Sequence, residues 1–529
     1  MHEATIEVSA YRSALRAASA GFARLVRAEW TKFRTVRGWL AGMIIAVLVT
    51  VGIATLDHSE CGGTVTPGGT PVTGQGCSSP VGPGGEAVTD NPYFVQRPLG
   101  ARGSVTARVT ALTGQSAGPT STGTARASLQ PWSKAGIMIK ASDRPGSAYA
   151  AMMVTAGHGV RMQYDFTGDI AGPAEPVSAG SPWWLRLIRS GETVTGYESR
   201  DGTRWHVVGT VRLASLPASA LAGLFAAAPA GSESVTSSSI SGSSSDSGMN
   251  LATAGFDHVS LRGAQPGQAW TGTDVGGTAG APAGTGFHQV DGTFTVTGSG
   301  DMAPDVPAAP DGGGGFLIEH TLLGIFGALV AVIVVAAMFM TAEYRRGLIR
   351  VTLAASPHRG RVLGAKAVVI GSVSFLAGLA GSTAALLAGE HLLRSRGNFI
   401  MPVSTLTDVR VVAGTAGLTA VTALLALAVG ALLRSSAAAV TIVITVVVLP
   451  YLLESTILPA AAADWVLRIT PAAGFAIQQS LPQYPQVAAS YTPANGYFPL
   501  APWAGFAVLC GYAALALALA VIVLRRRDA

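Results

Sequence analysis

Six long apolar runs constrain the fold of this chain more than any other feature of its sequence. A helix needs about 20 apolar residues to cross the hydrocarbon core of a bilayer, because each residue adds only about 1.5 Å along the axis. The runs reach or approach that length, and they lie at residues 39–56, 316–340, 367–388, 411–433, 437–458 and 502–524. The sequence therefore predicts an α-helical polytopic membrane domain with six transmembrane helices.

Lysine and arginine are concentrated on one side of these predicted spans. If the amino terminus is cytoplasmic, the short inner segments carry 17 basic residues, whereas the two short outer loops carry four. Cytoplasmic segments of membrane proteins are enriched in these residues. We therefore predict a multi-pass protein of the cell membrane, with both termini in the cytoplasm and residues 57–315 outside the cell. The same flanks account for the net charge of +6, so no nucleic-acid partner is predicted.

The segment between the first two runs has no helical period and is predicted to be an extracellular insert. Residues 57–102 are rich in Gly, Pro and Thr, which is typical of a linker. Residues 103–261 alternate polar with apolar residues between turn signals such as Asp201-Gly202, as antiparallel sandwiches do. Residues 262–315 form a further β or linker segment. A hairpin predicted at Asp291-Gly292 either belongs to the sandwich or stands apart from it.

Three motifs in the predicted sandwich resemble the concanavalin-A-like, laminin-G-like jelly-roll family. They are PWSKAGIMIKAS, PWWLRLIRSGETVTGYESRDGTRWHVVG and FDHVSL. The resemblance covers roughly residues 103–261 and implies an all-β jelly-roll sandwich. The superfamily includes lectins, glycosidases and purely structural modules.

Four aromatic residues of this domain have two interpretations. They are Trp183, Trp184, Tyr197 and Trp205. They either belong to the core of the sandwich or form a platform for a sugar, and a platform would make a glycan the ligand of a membrane-anchored carbohydrate-binding receptor or sensor. Glycoside hydrolysis needs two facing carboxylates. No motif pairs Asp165, Glu192 or Glu198, so no catalytic residue is predicted.

Two of the three cysteines lie close together in the predicted linker. Cys61 and Cys77 could form a disulfide in an oxidising compartment, or they could stay free thiols. Cys510 lies within the last apolar run. The cysteines and histidines show no metal-binding spacing, so no metal site is predicted.

Two basic segments flank the spans on the predicted cytoplasmic side. Residues 1–38 place Leu25, Trp30 and Phe33 on one side of an amphipathic helix, which suits the membrane interface unless its charge serves only to fix the topology. The loop at residues 341–366 is short, basic and helical in pattern. Such a loop suits docking to another protein or to anionic lipid.

These flanks and three further stretches resemble the permeases of bacterial ABC transporters of the type-two exporter class. The two flanks are RAEWTKFRTVRGW before the first span and AEYRRGLIRVTLAASPHRGRVLGAK after the second. The three further stretches are LLRSS between the fourth and fifth spans, RITPAAGF after the fifth and LRRRDA at the end. The resemblance implies a six-span subunit in the lipid bilayer that forms a homodimer, or a heterodimer with another permease, and binds cytoplasmic ABC ATPase subunits. Most relatives have a short first outer loop, so the large insert leaves the substrate class open.

The resemblance also implies which residues contact the ATPases, since the family uses the helix before span one and the loop between spans two and three. By motif these are Glu29, Trp30, Lys32, Phe33, Glu343, Tyr344, Arg345, Arg346, Gly347 and Pro357. The chain has no G-x-x-x-x-G-K-[ST] loop. It is therefore predicted to be no enzyme and to hold no cofactor, with ATP and Mg²⁺ bound by the partner. The expected function is that of a permease subunit that couples ATP hydrolysis by a separate ATPase to export.

Ionisable residues near the predicted outer ends of the spans are further candidates. Glu319, Glu390 and Glu454 either line an exit vestibule or are solvated groups at the membrane interface.

Overall fold

The computed structural model describes most of the chain. The described residues are 21–56, 78–116, 129–178, 180–230, 237–239, 242–244, 250–264, 267–276, 284–307, 315–345, 347, 358–454, 460–489 and 491–526. Cys61 and Cys77, with the disulfide considered for them, lie outside these residues, as do Arg346 and Pro357.

Nine α-helices lie in the described part of the chain. They are α1 Phe22–Thr35, α2 Arg37–Leu56, α3 Ile325–Arg345, α4 Arg359–Ser395, α5 Thr405–Leu433, α6 Ser436–Val447, α7 Leu449–Glu454, α8 Ala460–Ile469 and α9 Pro502–Arg526. Short 3₁₀ helices occur at Ile318–Leu322, Pro471–Gln478 and Pro493–Asn495. Five helical segments are long and apolar enough to cross a membrane, namely α2, the stretch Ile318–Arg345 that contains α3, α4, α5 and α9. Their number and length indicate a membrane protein.

The predicted span at residues 437–458 is not a single helix, so six spans are not confirmed. Helix α6 ends at Val447 and α7 begins at Leu449. Pro450 has no backbone N–H with which to bond the carbonyl of Val446, and its ring disfavours a continuous helix. The 12 residues of α6 extend about 18 Å, which is shorter than the hydrocarbon core.

The long helices pack through small residues. Gly378 of α4 lies where α4 and α5 approach each other, and a Cβ at this position would collide with the side chain of Thr419. Helices α3 and α5 form the centre of the bundle, with Leu329, Ile333 and Leu427 fully buried. Such close contact is a common solution for helices in lipid, because small residues let the backbones approach.

The two ends of the bundle differ in composition. At one end α1, the end of α3, the start of α4 and the end of α9 come together, with Arg359 donating a hydrogen bond of 2.7 Å to the carbonyl of Leu524. Arg434, just after α5, lies over the ring of Tyr344 at 5.1 Å. We call this the basic end. The β-strands and the loop between α8 and α9 lie at the opposite end, which we call the sandwich end.

The insert folds as a β-sandwich. Its described strands are β1 Val88–Asp90, β2 Tyr93–Leu99, β3 Arg102–Ser116, β4 Lys134–Lys140, β5 Tyr149–Thr155, β6 Gly159–Tyr164, β7 Gly168–Ala171, β8 Trp183–Ser190, β9 Thr193–Ser199, β10 His206–Arg212, β11 Ala220–Ala227, β12 Ser237–Ser239, β13 Gly242–Ser244, β14 Asn250–Arg262, β15 Thr271–Asp274, β16 Gly286–Val290, β17 Thr293–Gly298 and β18 Met302–Pro304. Two antiparallel seven-stranded sheets have the orders β10-β9-β8-β3-β14-β17-β16 and β15-β2-β11-β4-β5-β6-β7. Residues such as Val105, Ile137, Leu185 and Phe256 fill the core between them.

The sandwich extends beyond the predicted limits of residues 103–261. Strand β2 lies in the predicted linker, and β15 to β17 lie in the following segment. Pro98 of β2 has no backbone N–H and so cannot donate to a ladder. The structure accommodates it because β15 pairs only with residues 93–96 of β2 and leaves the Pro98 side unpaired.

Both predicted hairpins are present, since β9 pairs with β10 and β16 pairs with β17 in antiparallel fashion, but only one of them has a two-residue turn. Asp291 and Gly292 have φ of 47° and 79° and connect β16 to β17, as an Asp-Gly turn of type I′ requires. Asp201-Gly202 instead lies in a longer loop from the end of β9 to the start of β10. Oδ1 of Asp201 accepts hydrogen bonds of 2.8 Å from the amides of Thr203 and Arg204. Those amide hydrogen bonds lower the pKa of Asp201.

The first and last described strands of the sandwich are neighbours, and the sandwich packs against the loop before α9. Strands β1 and β18 pair with each other, Val88 opposite Pro304. Ala303 and Val306 pack against Val487 and Tyr497 of the loop before α9. The side-chain Nε2 of Gln486 donates to the carbonyl of Phe166 at 3.3 Å.

Candidate functional site

Four charged side chains from three helices form a closed ring at the basic end. Lys32 of α1 contacts Glu29 at 2.7 Å and Glu343 of α3 at 2.8 Å. Lys366 of α4 contacts the same two carboxylates, at 2.7 Å and 2.8 Å. We call these four residues the ionic cluster. It joins α1 to both sides of the loop between α3 and α4.

The ionic cluster is mostly buried. Glu29, Glu343 and Lys366 are 3%, 6% and 1% exposed, whereas the side chain of Lys32 is 40% exposed. Burial lowers the pKa of Lys32, but the hydrogen bonds to Glu29 and Glu343 outweigh it and the net shift is upward. Two positive and two negative charges cancel, and such pairing is what allows charges to be buried.

Helix geometry and aromatic packing place the cluster. Glu29, Lys32 and Phe33 lie within one turn on the same side of α1, since residues three and four apart are neighbours on a helix. Phe339 of α3 meets Phe33 edge-on at 5.7 Å. The ammonium group of Lys366 lies 4.5 Å from the centre of the Phe339 ring, where a cation–π interaction adds to the ion pairs.

The residues matched to ATPase contacts fall into three groups. Glu29, Phe33 and Glu343 are buried within this chain, so their side chains are covered in this conformation. Tyr344 and Lys32 are half-buried. The exposed members are Trp30, Arg345 and Gly347. Contact of any of them with a second chain stays a prediction.

Sequence reasoning missed Lys366 as a member of the site. The signal was a lysine at the border of an apolar run, which is expensive in a membrane unless it is paired. Nothing in the sequence shows that residue 366 meets residue 29.

The four aromatic residues of the sandwich do not form one platform. Trp183 is 2% exposed and belongs to the core. Its neighbour Trp184 points to the opposite face of β8, as side chains alternate along a strand, and lies 5.0 Å from the ring of His258. Arg186 covers Trp205 at 3.7 Å, and Tyr197 pairs with Arg186 across β8 and β9. Glycan binding at this outer face stays a prediction.

Each of the three carboxylates considered for hydrolysis interacts with a different partner, and none of these partners is another of the three. Glu198 meets His206 at 3.1 Å and Glu192 meets Arg212 at 2.9 Å. Asp165 accepts a hydrogen bond of 3.2 Å from the amide of Tyr149. Among the described residues, no group of three or more His, Cys, Asp and Glu could hold a metal ion.

Comparisons with known proteins do not assign the chain to a family. No family model and no curated protein matches it. A functionally unknown protein from Saccharomyces cerevisiae matches at 17% identity over 33% of this chain and 76% of its own, with a TM-score of 0.19. The GH43 protein BlXynB from Bacillus licheniformis matches at 15% over 31% of this chain and 28% of its own, with a TM-score of 0.19. Scytalido-glutamic peptidase matches at 8% over 40% and 99%, with a TM-score of 0.26.

The chain spans less than a third of the GH43 protein. At TM-scores this low, none of these similarities carries an argument about what the chain does.

Proposed function

We propose that this chain is the membrane-spanning permease subunit of an ATP-binding-cassette exporter. It couples ATP hydrolysis by a separate cytoplasmic ATPase to the export of a substrate. The observation that supports this proposal most is the ionic cluster, because it joins the helix before the first span to both helices that flank the basic loop.

The cluster would transmit force from that loop into the bundle. A push on α1 or on the loop between α3 and α4 would move all three helices together, because separating them would leave buried charges unpaired. Breaking one partner of a buried ion pair costs about 3–5 kcal/mol. Helices α3 and α4 then carry the movement to the sandwich end.

The exposed side of α1 would supply part of the contact with the ATPase. Trp30 is 45% exposed and Phe22 is 44% exposed, although both are large apolar side chains. Exposed aromatic side chains are typical anchors of protein interfaces. In this proposal the complete transporter holds two permease subunits and two ATPases, and residues 57–315 lie outside the cell.

Association with the ATPase tests the proposal. The chain is purified in detergent with the cognate ABC ATPase of its source organism, and the dissociation constant and ATP hydrolysis are measured. Trp30→Ala should weaken association at least about tenfold, as loss of an interface anchor does.

Trp503→Ala is the matched control, because Trp503 is 64% exposed at the start of α9, at the other end of the bundle. Equal affinities for the two variants, or no complex with the unaltered chain, would contradict the proposal.

A further inference from the structure

A small cavity at the sandwich end has no part in the proposed coupling. Its walls come from the 3₁₀ helix before α3, from α3, α7 and the second 3₁₀ helix, and from the loop before α9. The lining residues used below are Glu319, His320, Phe326, Tyr451, Gly496 and Phe498. Its volume is about 30 Å³, which is room for about two groups of the size of a water molecule.

Glu319 lines this cavity, and one of its carboxylate oxygens has no hydrogen-bond partner in the described part of the chain. Its Oε1 accepts a hydrogen bond of 3.2 Å from the amide of Ser480. Its Oε2 is buried and has no hydrogen-bond partner among the residues that the structure describes. Gly496 comes so close that any side chain there would collide with Oε1. A buried acceptor without a donor costs free energy, so the position favours a ligand that donates hydrogen bonds.

The nearby basic side chains do not supply that donor. Arg410 donates to the carbonyl oxygens of Ile477 and Gln479, at 3.4 Å and 2.6 Å. The Nδ1 of His320 accepts a hydrogen bond of 3.2 Å from the amide of Leu317, so this nitrogen is not a donor to Glu319 in this arrangement.

Aromatic rings line the same cavity as Glu319. The Tyr451 ring lies 4.7 Å from that of Phe326 and 6.2 Å from that of Phe498. The ring of Phe475 lies next to these rings, with its centre 5.0 Å from that of Phe326. Ring faces attract cations, and aromatic groups beside a carboxylate are the usual way in which proteins recognise ammonium groups. Ca²⁺ and Mg²⁺ need about six or more oxygen ligands, which the lining residues of this cavity do not offer.

We propose that the cavity binds the ammonium group of a small amine. The positive nitrogen donates to Oε2 of Glu319 and rests against the rings of Phe326, Tyr451 and Phe498. A second pocket of about 430 Å³ also has Phe498 in its lining. The binding site requires no ATPase, and so it can be tested separately from the proposed export function.

Methylammonium chloride is the probe, titrated calorimetrically into the purified full-length chain in detergent at neutral pH. Saturable binding that sodium chloride at the same concentration does not reproduce is expected. Glu319→Gln should raise the dissociation constant at least about tenfold, since a hydrogen bond to a charged group is lost. Glu390→Gln should leave it unchanged, because Glu390 is paired with Arg394 at 3.2 Å outside the cavity.

Phe498→Leu provides a second test that keeps the carboxylate and most of the apolar volume. Loss of one ring should weaken binding about threefold or more. No saturable binding by the unaltered chain, an equal response to sodium, or unchanged affinity in a folded Glu319→Gln variant would each overturn the proposal.

Discussion

Lys366 lies where an apolar helix meets charged neighbours. Those neighbours determine the free-energy cost of burying its ammonium group. It is 1% exposed, yet two carboxylates and the Phe339 ring contact its ammonium group. Lys32 contacts the same carboxylates from a half-exposed position. The two lysines therefore share partners but differ in burial, which makes them a natural pair for mutation.

Lys366→Met should lower the free energy of unfolding by about 3–5 kcal/mol, because it leaves buried negative charge without its buried partner. Lys32→Met should cost only about 1 kcal/mol, since Lys366 still contacts both carboxylates. Denaturation of the full chain in detergent measures both losses. Arg394→Gln, which breaks the exposed pair with Glu390, is the control with little effect. Equal losses for the two lysine variants would contradict this account of the cluster.

Among the helices, the break between α6 and α7 separates the structure most clearly from what the sequence predicts. The run at residues 437–458 has the composition of a span, and composition does not reveal a missing N–H. The amide of Leu452 still donates to the carbonyl of Val448 at 3.3 Å, so helical bonding resumes directly after the break. Pro450 is therefore the local cause of the interruption.

Pro450→Ala should join α6 and α7 into one helix. The new amide at position 450 can donate to the carbonyl of Val446, so hydrogen exchange should slow in peptides that cover residues 446–454. Pro502→Ala is the control, because Pro502 is the first residue of α9, where a helix needs no amide donor. Unchanged exchange in the Pro450 variant would place the cause of the break elsewhere.

Local patterns predicted individual elements well, while contacts between distant segments stayed hidden. The alternation along β9 can be recognised in the sequence, because it depends only on neighbours along the chain. Strand β2 escaped prediction because its place depends on β11 and β15, more than 100 residues away. In the same way, motifs indicated Glu29 and Glu343 as site residues, but only the packed helices show that Lys366 joins them.

At the scale of the whole molecule, the basic end and the sandwich end should lie on opposite sides of a membrane. Arg345→Cys should be protected from a membrane-impermeant thiol reagent in intact cells, and Gln289→Cys on exposed β16 should react. Both substitutions are made in a chain whose Cys61, Cys77 and Cys510 are replaced by serine. Labelling of position 345 from outside would reverse the orientation and remove the basis for a cytoplasmic ATPase.

The pairing of β1 with β18 also has a consequence for how such a chain could arise. The amide of Asp305 donates to the carbonyl of Ala87 at 2.9 Å, so more than 200 residues start and finish at neighbouring points. A domain with adjacent termini can replace a short loop without moving the helices on either side. The helical bundle and the sandwich could therefore have separate ancestries, and a gene lacking the sandwich would still encode every helix of the bundle.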